Sequence, residues 1–138
     1  MCRGITLDLH DILLEEQCKQ ALVQARLDSP QLFTEYYFGD LKYLEWYKDC
    51  DTKHGGQQKF AVMGAPRCGK SIRYGTIEAV REICRNRRTA RVGFVSKSQD
   101  KAQRFMGTVG KHLKNNERLL EDFGDFKRQG LLWNNDKI

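Results

Sequence analysis

Phe60-Ala61-Val62-Met63-Gly64-Ala65-Pro66-Arg67-Cys68-Gly69-Lys70-Ser71 is the stretch on which the reading of the whole chain turns. Four apolar residues run into a glycine-rich turn. After Ser71, Ile72, Ile77, Val80, Ile83 and Cys84 supply apolar positions of a helix. Strand, loop and helix together are the context in which Gly-x-x-x-x-Gly-Lys-Ser, the Walker A pattern, has a mechanism. Glycines let the backbone curl until successive N–H groups point at phosphate oxygens, and the helix directs its positive end at the same place. On this reading Gly64, Ala65, Pro66, Arg67, Cys68, Gly69, Lys70 and Ser71 cradle the phosphates of ATP. Lys70 places a point charge between the β- and γ-phosphates, and the Ser71 hydroxyl meets Mg²⁺. Arg67 has two readings, a cation acting on the γ-phosphate or a solvent-facing side chain that only raises the local potential.

Outward from the loop, Ala90-Arg91-Val92-Gly93-Phe94-Val95 reads as a second strand. The serines at 96 and 98 then open a helix through about Lys114, with Ala102, Phe105, Met106, Val109 and Leu113 on one face. A short helix follows Asn115-Asn116, and Phe123-Gly124 breaks it. Upstream, residues 7–27 carry Leu14, Cys18, Ala21, Leu22 and Ala25 at helical spacing. Ser29-Pro30 is an N-cap followed by a first-turn proline, opening an aromatic helix to Phe38. Leu41, Leu44, Trp46 and Tyr47 belong to another helix, and residues 51–57 form a loop. Strands alternating with helices predict an α/β class: a P-loop NTPase fold with a partial parallel sheet flanked by helices and a helical N-terminal lead-in. The lead-in spans residues 1–57, and the first part of the ATPase core spans 58–138.

Composition bounds the alternatives. The 138 residues are 40% hydrophobic and 10% aromatic, which suits one globular domain or part of one. No apolar run approaches the roughly 20 residues of a membrane span, and the N-terminus lacks the features of a secretory signal. The five cysteines contain no CxxC pair and read as reduced thiols, with Cys18 and Cys84 buried in helices and zinc disfavoured by the spacing. A net charge of +6 permits a polyanionic partner. Arg81, Arg85, Arg87 and Arg88 form its densest cluster. They read more readily as cations at a helix C-terminus with a solvated turn than as DNA contacts.

Three features resemble the ATPase domain of the large terminase subunit, the DNA-packaging motor of tailed bacteriophages, over about residues 30–138. The first is Pro66-Arg67 within the Walker A loop, where many members carry Gly or His in place of Cys68. The second is Val92-Gly93-Phe94-Val95-Ser96 followed by Gln99, Ala102 and Phe105. The third is Leu113-Lys114-Asn115-Asn116-Glu117-Arg118-Leu119, then Asp122-Phe123-Gly124 and Trp133. The resemblance implies a viral motor that hydrolyses ATP with Mg²⁺ to drive double-stranded DNA into a procapsid. It implies work as a homo-oligomeric ring with a portal protein and a small terminase subunit, in the cytoplasm of the infected bacterial host. It also implies that the aromatic segment 33–47 helps frame the adenine. No Walker B strand or catalytic glutamate is found in this chain, so both are expected after Ile138, as are the family's nuclease carboxylates. The chain alone is therefore expected to be inactive as an ATPase. Two alternatives remain: another P-loop ATPase of helicase-like or defence type, or an inactive nucleotide-binding fragment.

Overall fold

The computed structural model describes residues 8–54 and 61–126. Its elements are helices: α1 (Leu9–Asp28), α2 (Pro30–Tyr37), α3 (Glu45–His54), a π-helix (Ser71–Ile77) running directly into α4 (Glu78–Arg85), α5 (Gln99–Asn115) and α6 (Glu117–Phe123). The helix starts follow their local chemistry. The Ser29 hydroxyl accepts from the Leu32 amide at 3.3 Å, with Pro30 in the first turn. Ser98 caps α5 through the Lys101 amide at 3.4 Å, and Asn116 caps α6 through the Leu119 amide at 3.2 Å. Gly124, at φ 74°, ends α6 as a left-handed residue.

One hydrophobic cluster joins these helices. It is built from Leu27 of α1, Phe33 and Tyr37 of α2, Ile77, Val80, Ile83 and Cys84 around α4, Val109 and Leu113 of α5, and Leu119 and Phe123 of α6. It thus draws side chains from both sides of residue 57.

The expected α/β class with a partial parallel sheet is overturned. Among the described residues there is no strand. Phe60 lies outside them, and residues 61–65 and 90–96 carry no regular structure. A parallel strand hides both faces and satisfies its backbone on neighbouring strands. Here Met63 is 95% and Val95 101% exposed, and only Ala90 and Phe94 of the second run touch the core. Helical side chains fill that core, so the short apolar runs have neither a partner ladder nor a surface to cover. A short apolar run is consistent with a strand but does not specify one.

Helix α1 forms where it is expected, yet the face assigned to it is not buried. Leu14, Cys18, Ala21, Leu22 and Ala25 are exposed, and Leu27 is the buried residue. Only the C-terminal turns of α1 reach the cluster, through Val23 and Leu27. Cys84, by contrast, is buried, and burial pushes its thiol pKa up to about 12. Ile72 faces outward, 45% exposed, while Ile77, Val80 and Ile83 point inward. Helix α3 extends through His54 into the segment read as loop, while residues 55–57 and Trp133 lie outside the described residues. No helix among the described residues is long and apolar enough to cross a membrane.

Candidate phosphate-binding site

The glycine-rich segment is a turn running straight into helix, as the motif requires, although the described residues before it, 61–63, form no strand. Arg67 and Gly69 both take left-handed backbone, at φ 63° and 82°, and Lys70 follows in right-handed helical conformation. Alternation of this kind is what turns successive amides toward one side of a loop. The Cys68 amide bonds the Ala65 carbonyl at 3.4 Å. No carbonyl or side chain among the described residues accepts from the amides of Ala65, Arg67 and Gly69. Holding a non-glycine residue such as Arg67 in this region costs roughly 1–2 kcal/mol, a strain that concentrates at functional loops.

Lys70 reaches back over the loop. Its Nζ donates to the carbonyls of Gly64 at 3.2 Å and Ala65 at 3.1 Å. Cys68 packs inside the turn, so a side chain at Gly64 would meet its Sγ. The Arg67 side chain is exposed, as is Ser71 at the first position of the π-helix. The structure therefore brings all eight motif residues into one turn, and Arg67 takes no side-chain partner among the described residues.

Behind the loop stands a buried network that the sequence reading did not assign. The Arg73 side chain is only 2% exposed. It donates to Glu78 at 2.7 Å, to both Asp51 oxygens at 3.0 and 3.1 Å, and to the Tyr43 hydroxyl at 3.1 Å. Tyr43 and Tyr74 both donate to Asp51, and the guanidinium lies over the Tyr74 ring at 4.7 Å. Burial opposes the charge on Arg73, but Glu78 and Tyr43 outweigh it and raise its pKa further. Burial, then the bond to Asp51, pushes Tyr43 up to about 12. One signal was present in the sequence. Arg73 stands at i, i+4, i+7 and i+11 spacing with Ile77, Val80 and Cys84, a charge set within an apolar stripe.

Helix α3, which carries Asp51, also fixes the loop's far end through Tyr47, whose hydroxyl donates to the Gly69 carbonyl at 3.0 Å. Tyr47 in turn packs against Trp46, Tyr43 and Tyr74. Of the segment 33–47 expected to frame a base, Tyr47 is seated under the glycine-rich loop, while Phe33, Tyr37 and Phe38 lie in the helical core.

The basic cluster is largely structural. Arg81 and Arg85 both donate to the carbonyl of Leu27, at 2.7 and 2.9 Å, satisfying the C-terminal end of α1. Arg81 also pairs with Glu78 at 2.6 Å, and Arg87 lies over the rings of Phe123 and Phe126. The stretch 115–124 is structural too. The Asn116 amide donates to the Tyr37 carbonyl at 2.7 Å, and Arg118 to that of Tyr36 at 2.6 Å. Asp122 accepts from Tyr37 at 2.6 Å and from Arg26 at 3.0 Å.

Among the described residues no group of three His, Cys, Asp or Glu side chains could hold a metal ion. No protein-family model, curated protein or solved structure matches the chain.

Proposed function

We propose that the chain grips the triphosphate of ATP, together with Mg²⁺, through residues 64–71, and serves as the nucleotide-holding segment of a viral DNA-packaging motor of the large-terminase kind. The observation that carries the nucleotide reading is the loop itself. Three amides without an acceptor lie on a turn with two left-handed residues, next to Lys70 and Ser71 at a helix start. A phosphate would satisfy those amides. Lys70 would then exchange two neutral carbonyls for charged oxygens, which make shorter and roughly twice as strong hydrogen bonds. The motor reading rests on the sequence resemblance at Pro66-Arg67, residues 92–105 and residues 113–124. Double-stranded DNA, a portal protein and a small terminase subunit are its partners in that reading, with assembly as a ring in the infected host's cytoplasm.

A second reading, binding without turnover, is favoured by one observation. Asp51 and Glu78 are the carboxylates that flank Arg73 behind the loop, and both are engaged by it. Neither is free to serve as a general base, so the chain alone is proposed to hold ATP without hydrolysing it at a useful rate. The deciding experiment titrates a fluorescent ATP analogue with Mg²⁺ against the chain and its Lys70→Ala variant. Binding is expected to vanish in the variant. Equal affinities would sink the phosphate-loop assignment.

A further inference from the structure

Residues 8–22 are all exposed, because only the last turns of α1 meet other helices. Roughly four turns of helix thus stand alone in water, a length at the margin of helix stability. Leu9, Ile12 and Leu13 fall on one face of this arm, with Leu9 76% and Leu13 54% exposed. Asp8, Asp11 and Glu15 flank that face at three- and four-residue spacing, and Glu16 extends it. Lys19 is the only Lys or Arg in the same span. A furrow between the π-helix and α5 has the opposite character. Its narrow part, about 310 Å³, is floored by Ile72, Thr76 and Phe105 and rimmed by Lys101 and Arg104. It shares Ile72, Thr76 and Thr108 with a cleft of about 670 Å³ whose rim adds Lys111. Lys101, Arg104 and Lys111 are exposed. Neither they nor the four carboxylates of the arm form an ion pair among the described residues.

We propose that the furrow is the docking site for the α1 arm of a second copy of this chain. The arm supplies what the furrow lacks: Leu9, Ile12 and Leu13 for the apolar floor, and carboxylates for the basic rim. The lengths agree as well. At 1.5 Å per helical residue, Asp8 to Glu16 spans about 12 Å and Lys101 to Lys111 about 15 Å. No residue of α1 lines the furrow, and α1 is one unbroken helix anchored at Leu27, so its own arm cannot turn back into it. The contact joins two different surfaces, so every docked pair keeps a free arm and a free furrow, and association can continue beyond a dimer. Its exposed charges make it weaker in salt. The contact does not depend on the nucleotide reading, and its failure would leave that reading standing.

Sedimentation velocity over a concentration series tests this with the unchanged chain, an arm variant, Ile12→Gln/Leu13→Gln, and a furrow variant, Lys101→Glu/Arg104→Glu. All four positions are exposed and both replacements are good helix formers, so the fold should persist, which far-UV circular dichroism checks. The unchanged chain should form dimers and larger species that dissociate as salt rises. Each variant alone should associate at least about tenfold more weakly. An equimolar mixture of the two should recover a dimer and nothing larger, because the furrow variant keeps a working arm and the arm variant a working furrow. A monomeric unchanged chain overturns the proposal. So does normal association of either variant, since arms would then pair with one another or a different surface would be at work. A mixture that stays monomeric overturns it too.

Discussion

The Tyr47 hydroxyl donates to the carbonyl of Gly69 at 3.0 Å, and the same carbonyl accepts the amides of Ile72 and Arg73 at 3.1 and 3.0 Å. Three donors thus hold one oxygen. Because a trans peptide points its C=O and the next N–H in opposite directions, this clamp turns the Lys70 amide away from Tyr47. Helix α3 therefore sets the orientation of the loop's last peptide.

The clamp predicts separable effects. Tyr47→Phe keeps the ring packing and removes one hydrogen bond, worth about 1 kcal/mol. Mg·ATP should bind several-fold more weakly, and Tm should fall by a few degrees. Gly69→Ala should do more damage, since its φ of 82° disfavours a side chain and the new Cβ would run into the Tyr47 hydroxyl. Isothermal titration of both variants checks this. An alanine at 69 that binds nucleotide normally would show that the clamp does not shape the site.

Arg73 predicts a stability effect with a defined pH dependence. Arg73→Met leaves Asp51 and Glu78 facing each other's charge without their common partner. Removing one member of a buried pair costs about 3–5 kcal/mol, and the lower end applies because these carboxylates are 25% and 31% exposed. Burial would raise the Glu78 pKa, but Arg81 and Arg73 outweigh it and hold it below the ordinary 4.5. A depressed carboxylate stabilises the fold above its unfolded pKa and loses that contribution as pH falls through the folded one. Urea midpoints measured from pH 6 down to 3 should therefore fall more steeply below about 4.5 in the unchanged chain than in Glu78→Gln. Parallel curves would refute the assignment.

What could be read from the sequence was local. Ser29-Pro30, Ser98 and Asn116 announce helix starts because a cap is a contact within three residues, and each makes that contact. The alternation of Ile77, Val80 and Cys84 likewise gives the buried side of α4. The strands failed for the opposite reason. Ala61-Val62-Met63 and residues 90–95 are apolar enough for a sheet, but a strand exists only through neighbours that the run itself does not specify. The inward face of α1 failed similarly, since only its last turns meet other helices. The motif residues of the loop were legible as a set. The support given by Tyr47 and Arg73 was not, because it joins positions 22 residues apart, Tyr47 to Gly69 and Asp51 to Arg73.

The cysteines offer a probe of loop occupancy. Cys18 is exposed, Cys50 and Cys68 are half-buried, and Cys84 is buried with its thiol pKa pushed up to about 12. Thiolate is the reacting form, so among these four Cys18 should be alkylated first and Cys84 last. Saturating Mg·ATP should slow Cys68 selectively, because Cys68 packs against Gly64 inside the turn that the phosphates would fill. Peptide mass spectrometry after timed iodoacetamide exposure reads each of these four separately. A Cys68 rate indifferent to nucleotide would count against phosphate in the loop.

The basic cluster at the C-terminal end of α4 gives the last test, because structure and charge make opposite forecasts for it. If Arg81 and Arg85 serve DNA phosphates, replacing them should lower the salt dependence of duplex binding by about one slope unit each. Their geometry assigns them elsewhere: both guanidiniums end on the Leu27 carbonyl, and Arg81 is also held by Glu78. Arg81→Met should therefore cost about 1–3 kcal/mol, a drop of several degrees in Tm, by leaving a carbonyl at the end of α1 short of donors. Arg85→Met should cost less, since Arg81 still serves that oxygen. Neither change should alter the salt slope of any duplex DNA binding the chain shows. Exposed Arg88 is the internal comparison, and Arg88→Gln should leave Tm unchanged. A slope that falls with Arg81→Met at constant Tm would move the cluster from the fold's interior bracing to its nucleic-acid surface.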